Sequence, residues 1–256
     1  MEEDRGRNGS RNNRKKHEIS SSWSMWALLA RSSFYKILAV LLLMVIAEVC
    51  LFYGRRQEVY AMYGISVLNV GMIFYQNKMK LIFLTALGFL FLILLWTENR
   101  LDSKSRYTIM RLRITEPQFF GLKTIYNVLC LLLIYVVQIC LVFWMIWKCK
   151  ADVNLGESAP QVYFFAFYSN RFLHCLLPMA EIGKWVRNVL MMLAWGMQAA
   201  GMKGKSHYVL PVWMFSLTIY GFESDMGVNL LDILCCIVSV IIIGKEILCM
   251  KYRKLA

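Results

Sequence analysis

The residues that could do chemistry in this chain are few, and most of them lie against apolar segments. Glu181, Lys184 and Arg187 are spaced by three, so a helix brings successive members to neighbouring positions on its surface. Glu48 and Asp232 stand inside, or at the edge of, long uncharged runs. An isolated charge at bilayer depth costs about 2.5–3.5 kcal/mol on insertion scales. Such groups must therefore pair, reach water or meet at an interface. One use for Glu48, Glu181, Lys184 and Arg187 is the polar lining of a translocation path or a subunit contact. On that use Lys184 and Arg187 face an external vestibule, open to a membrane-impermeant reagent. The plainer use is that they lie near the outer surface, where Lys and Arg snorkel to water. Either Glu48 or Asp232 could pair with Lys184 or Arg187, and a proton relay would draw on the same few groups.

Other chemistries find little support. The chain has no Walker A pattern GxxxxGK[ST], no HExxH and no GxSxG, which excludes a nucleotide engine, a zinc protease and a serine hydrolase of those kinds. His174 precedes Cys175, but adjacent residues on one helix point apart. With only His17, His174 and His207, and no ligand spacing among them, neither a metal nor another cofactor is expected. No catalytic residues are assigned, and the chain itself is not expected to be an enzyme. Its eight cysteines form no CxxC, and most sit in apolar runs, where cysteine behaves as a small hydrophobe. The pair to consider for an external disulfide is Cys149 with Cys175.

The elements that must position these residues follow from composition. The chain has 256 residues, of which 59% are hydrophobic and 18% charged. Its mean hydropathy is +0.50. A water-soluble domain carries about 25% charged residues, and this one could not cover its apolar surface with polar groups. Long continuous apolar runs exclude a transmembrane barrel, which would alternate over about ten residues. The fold class expected is all-α: a polytopic membrane protein of six transmembrane helices preceded by an interfacial helix. The net charge of +13 fits basic flanks of spans better than nucleic-acid binding, for which no aromatic-basic motif is present.

Along the chain, 1–19 reads as a basic, disordered cytoplasmic tail able to attract anionic lipid. Residues 20–35 follow as an amphipathic interfacial helix, with Trp23, Trp26, Ala27, Ala30 and Phe34 on one face. The run before the first span is too long for a short signal-peptide n-region, so that span should stay as an anchor. Residues 36–250 form the six-helix membrane domain and 251–256 a cytoplasmic tail. The spans expected are 37–53, 81–97, 122–147, 179–202, 208–222 and 226–244. Residues 59–76, with Gly64, Asn69, Gly71 and Gln76, read as an external segment at the surface or dipping partly in. Trp144, Trp147, Tyr163, Phe164, Phe165, Phe167 and Tyr168 suit an outer aromatic belt. With both termini cytoplasmic, the inside segments hold 20 of the 29 Lys and Arg and the outside segments 7. That asymmetry supports the orientation.

The loop between spans two and three, 98–123, is more than a linker. Tyr107, Ile109, Met110, Leu112, Ile114 and Phe119 interleave with its charges. Such a segment can form a short helix that docks in a groove of another protein, or it can be a solvated loop whose cations enforce topology.

The order of parts resembles an ABC-2-type ABC transporter permease. Residues Arg106-Tyr107-Thr108-Ile109-Met110-Arg111-Leu112 and Ile114-Thr115-Glu116 sit where that family carries its coupling helix, and Ala27-Leu28-Leu29-Ala30-Arg31 resembles the helix that enters the membrane. The family's usual glycine is replaced near Arg106 and Tyr107, and its usual acidic residue by Met110 and Arg111. The resemblance implies a permease subunit of an ATP-driven exporter in the plasma membrane. It would pair with itself or a similar permease, and a separate P-loop ATPase would dock on the 98–121 loop. The coupling residues carried over are Arg106, Tyr107, Ile109, Met110, Arg111, Leu112 and Glu116. Two other readings stay open: a non-transport assembly or immunity factor that binds a hydrophobic peptide, and an ion-coupled secondary transporter.

Overall fold

The computed structural model describes residues 3–65, 67–76, 78–99, 115–153, 159–178, 181–201, 209–222 and 230–253. Every regular element among them is an α-helix. They are α1 (Glu3–Tyr63), α2 (Val67–Gln76), α3 (Met79–Asn99), α4 (Glu116–Val153), α5 (Ala159–Ser169), α6 (Arg171–Leu176), α7 (Ile182–Gly201), α8 (Val209–Gly221) and α9 (Leu230–Arg253).

Among the described residues three helices contain stretches long and apolar enough to cross a membrane: Ser33–Tyr63 in α1, Pro117–Ala151 in α4 and Leu230–Met250 in α9. At 1.5 Å per residue these exceed the roughly 30 Å of a hydrocarbon core. The multi-helical membrane architecture is therefore present. The apolar stretch of α3, Met79–Leu95, is shorter, α8 has 13 residues, and α7 carries buried charge.

α1 is unbroken across the segments read as tail, interfacial helix and first span. The helix runs from Glu3 through that segment. Once a stable helix stands at Ser33–Tyr63, each added residue gains a hydrogen bond without a new nucleation cost. α1 ends where Gly64, at φ +76°, turns the chain into the left-handed region, and its N–H caps the Tyr60 carbonyl at 3.1 Å. α2 follows; ten residues span about 15 Å, too short to cross. Its Ile73 and Phe74 are fully buried, so α2 packs on the bundle.

The direction of each helix follows from its contacts. α1 meets α4 through Ser33 with Tyr126, Glu48 with Gln138 and Tyr53 with Trp144, so the two run parallel. α4 meets α7 through Asn127 with Gly196 and Tyr135 with Asn188, antiparallel. α7 meets α9 through Arg187 with Asp232 and Gly201 with Glu246, parallel. α8 is antiparallel to α7 and α3, since Gly221 lies by Arg187, Phe215 by Trp195 and Gly88, and Phe222 by Phe83. In chain order α1, α3, α4, α7, α8 and α9 thus alternate in direction. The start of α1, the end of α9 and both ends of the 100–114 connection lie at one end of the bundle. The short helices α2, α5 and α6 cap the other.

Burial is inverted relative to a soluble domain. α9 turns Asp232, Cys235, Ser239, Ile242 and Glu246 inward, at alternating spacings of three and four, and exposes Ile233, Ile237, Val240, Ile241 and Leu248. α7 buries Lys184, Arg187, Asn188 and Gln198 and exposes Ile182, Val186 and Val189. Lipid is as apolar as leucine, so packing and polar bonds, rather than apolar burial, decide which faces meet.

Candidate functional site

The capped end of the bundle holds a buried polar network. Arg187 is fully buried. Its Nη1 donates to Asp232 and, at 2.7 Å, to the Gly221 carbonyl, while Nε and Nη2 donate to Asn188 Oδ1 at 3.2 and 2.9 Å. The guanidinium fork suits this, offering five N–H groups in fixed geometry. Asn188 Nδ2 donates in turn to the Tyr135 hydroxyl at 3.2 Å and the Cys175 carbonyl at 2.9 Å, and Tyr135 donates to the Leu176 carbonyl. One network thus ties α4, α6, α7, α8 and α9.

Local sequence sets up the acceptors. Asn170 caps α6, accepting from the Phe172 and Leu173 N–H groups through its side-chain oxygen and donating to the Phe74 carbonyl on α2. That fixes a six-residue helix whose last carbonyls, Cys175 and Leu176, then face Asn188 and Tyr135. Glu181 precedes α7, accepts an ion pair from Lys184 at 2.6 Å and lies 3.5 Å from His174 Nε2. Trp185 Nε1 donates to the Pro178 carbonyl at 2.7 Å.

Of the pairings left open by the sequence, Asp232 takes Arg187. Lys184 pairs locally with Glu181, and Glu48 sits apart on α1, hydrogen-bonded to Gln138. The external vestibule expected at Lys184 and Arg187 is absent from the described residues. Both side chains are fully buried, Arg187 against Gly221 of α8 and Asp232 of α9 and Lys184 against Glu181. Cysteines at Lys184 or Arg187, in a background with exposed Cys50, Cys140 and Cys249 changed to serine, should therefore stay protected from a charged membrane-impermeant thiol reagent. Glu58→Cys, on the exposed end of α1, should react under the same conditions. Labelling at 187 as fast as at 58 would mean that the network opens to water.

The aromatic run on α5 presents more than one environment. Phe167 is buried, whereas Phe164 and Tyr168 are exposed and stack at 4.6 Å between ring centroids. All eight thiols are free, so Cys149 and Cys175, both buried, form no disulfide. Among the described residues no three of His, Cys, Asp and Glu gather as metal ligands. Residues Arg106, Tyr107, Ile109, Met110, Arg111 and Leu112 of the coupling loop lie outside the described residues; Glu116 opens α4.

Sequence reasoning missed Asn188, Gln138, Tyr135 and Asn170. A signal existed in the three-four recurrence of polar side chains within apolar helices, as in Lys184, Arg187 and Asn188. Between α3, α4, α7 and α8 lies a cavity of about 30 Å³, bordered by Tyr135, Asn188, Met191, Trp195, Thr218 and Phe222. It is large enough for a water molecule and far below the roughly 300 Å³ of a ligand pocket. No protein-family model matches the chain, and neither a curated protein nor a solved structure matches it.

Proposed function

We propose that this chain is the membrane subunit of an ATP-driven exporter of the ABC-2 permease kind. α1, α3, α4, α7, α8 and α9 would be its six crossings, the shorter ones completed by thinning of the bilayer or by neighbouring residues. The carrying observation is the alternation of those six helices. It brings the end of α3 and the start of α4, which flank the 98–121 loop, to the same end as the start of α1 and the end of α9, and the segments joined there are rich in Lys and Arg. That end would be cytoplasmic in the plasma membrane. A separate P-loop ATPase would dock there, and a second copy or a similar permease would complete the transporter. The subunit would contribute no bond chemistry. It would couple through the different affinities of its two conformations for the ATPase states. The Arg187 network would act as the rigid outer seal of one helix group.

The test is purification of the tagged chain from its host in mild detergent, with bound proteins identified by mass spectrometry. A stoichiometric P-loop ATPase is expected. Replacing 107–112 by a Gly/Ser linker should lower its recovery at least about tenfold, a loss of roughly 1.4 kcal/mol or more, with membrane insertion unchanged. Intact recovery with the linker would remove the loop from the mechanism. Recovery of no ATPase would favour the second reading, an ion-coupled secondary transporter. That reading draws on one observation, the fully buried carboxyl of Glu48.

A further inference from the structure

Glu48 on α1 and Gln138 on α4 are both fully buried. Gln138 Nε2 donates to Glu48 Oε2 at 2.9 Å. The second oxygen of each side chain, Glu48 Oε1 and Gln138 Oε1, is buried and has no hydrogen-bond partner among the described residues. A carboxylate and an amide joined by one N–H bond leave two such acceptors. A carboxylic acid and an amide do not: the acid O–H donates to the amide oxygen while the amide N–H donates to the acid, closing a two-bond ring. Among the described residues the pair therefore lacks one donor, and a proton on the carboxyl would supply it.

No cation on the surrounding helices competes for that role. α1 packs against α2, α3 and α4. α1 has no Lys, Arg or His between Lys36 and Arg55, α3 has no charged residue between Lys80 and Glu98, α4 has none between Lys123 and Lys148, and α2 has none at all. Arg55 is seven residues on, about 10 Å along the axis, and pairs with Glu58 at 2.6 Å. The other titratable groups in these segments are Cys50 and Tyr53 on α1, Tyr75 on α2, and Tyr126, Cys130, Tyr135 and Cys140 on α4. Of these, Cys50, Tyr53, Tyr75 and Cys140 are exposed, Tyr126 bonds Ser33 and Tyr135 belongs to the Arg187 network. Lys184 and Arg187, on α7, are paired with Glu181 and Asp232.

We propose that Glu48 and Gln138 form a proton-binding site between α1 and α4, with the proton on Glu48 Oε1 and donated to Gln138 Oε1. On release the O–H bond breaks, its electron pair stays on the carboxylate, and the proton passes to water. The carboxylate then keeps one N–H donor and no cation, and it regains hydration only if α1 and α4 part. Proton occupancy and α1–α4 packing are thus one equilibrium. The site goes beyond the exporter reading and stands whether or not an ATPase binds.

The experiment uses the full chain in lipid nanodiscs, with infrared spectra recorded from about pH 5 to about pH 9. A carboxylic-acid C=O band is expected near neutral pH. E48Q, which keeps a neutral ring with Gln138, should abolish it, and Q138L should shift it toward that of an unbonded acid. As the band disappears on alkalinisation, spin labels at Tyr53→Cys and Trp144→Cys, whose native rings lie 6.4 Å apart, should separate. Absence of the band at every pH at which the protein is folded would overturn the proposal. So would a band that survives E48Q, or one that responds to sodium rather than to pH. A band that titrates while the labels stay together would overturn the link to helix packing.

Discussion

Arg187→Met is expected to destabilise the protein by roughly 3–5 kcal/mol, the usual cost of removing one partner of a buried ion pair. Thermal unfolding in detergent, followed by loss of the monodisperse chromatographic peak, would measure it. The cost has three sources. Asp232 is left as a buried carboxylate on α9 without the cation that faces it. The Gly221 carbonyl at the end of α8 loses its donor, and so does Asn188 Oδ1. Arg187→Lys should recover only part, because one ammonium cannot reproduce the fork that meets Asp232, Gly221 and Asn188 together. The double variant R187M/D232L should regain most of the stability, since two apolar groups leave no uncompensated charge. Recovery of the folded peak in that double variant would make the pair a structural lock. A single R187M variant as stable as the parent would show that the pair does not form.

Gly196→Leu is expected to be as damaging, through shape instead of charge. A Cβ at Gly196 would come within 2.3 Å of Val128 Cγ2 and 3.3 Å of the Val128 backbone N. α4 and α7 therefore touch almost backbone to backbone, and Asn127 uses that approach to reach the Gly196 carbonyl at 3.2 Å. Small residues at helix crossings serve this purpose in membranes, where close packing and interhelical hydrogen bonds replace the hydrophobic drive. Even Gly196→Ala should cost about 1–3 kcal/mol, the range for overpacking, because Val128 has no long flexible end to swing aside. Leucine should part the helices and abolish the folded peak. Adding Val128→Ala to Gly196→Ala should return part of the loss, since the methyl then has room. No recovery in the double variant would place the strain on the backbone contact rather than on the valine.

Particular residues show what was legible before any coordinates. The apolar runs around 37–53, 122–147 and 226–244 announced helices long and apolar enough to cross a membrane, because long apolar runs have few other stable arrangements. The three-spaced Glu181, Lys184 and Arg187 announced buried or interfacial charge, and the local Glu181–Lys184 pair follows from helical periodicity alone. The alternating three-four spacing of Asp232, Cys235, Ser239, Ile242 and Glu246 was readable too, as an inward stripe that ordinary hydropathy hides.

Tertiary structure alone decided which distant groups meet. Arg187 could have paired with Glu48 or with Asp232, and no spacing distinguishes partners 139 and 45 residues away. The choice came from helix direction: α7 and α9 run parallel at a register that aligns 187 with 232 and 201 with 246. The parallel run of α1 and α4 likewise gave Glu48 an amide instead of a cation. Periodicity determines which side of a helix a residue occupies. Its neighbour on the next helix depends on crossing direction and axial offset, and these are set by sums of small packing and hydrogen-bond terms spread over the whole bundle.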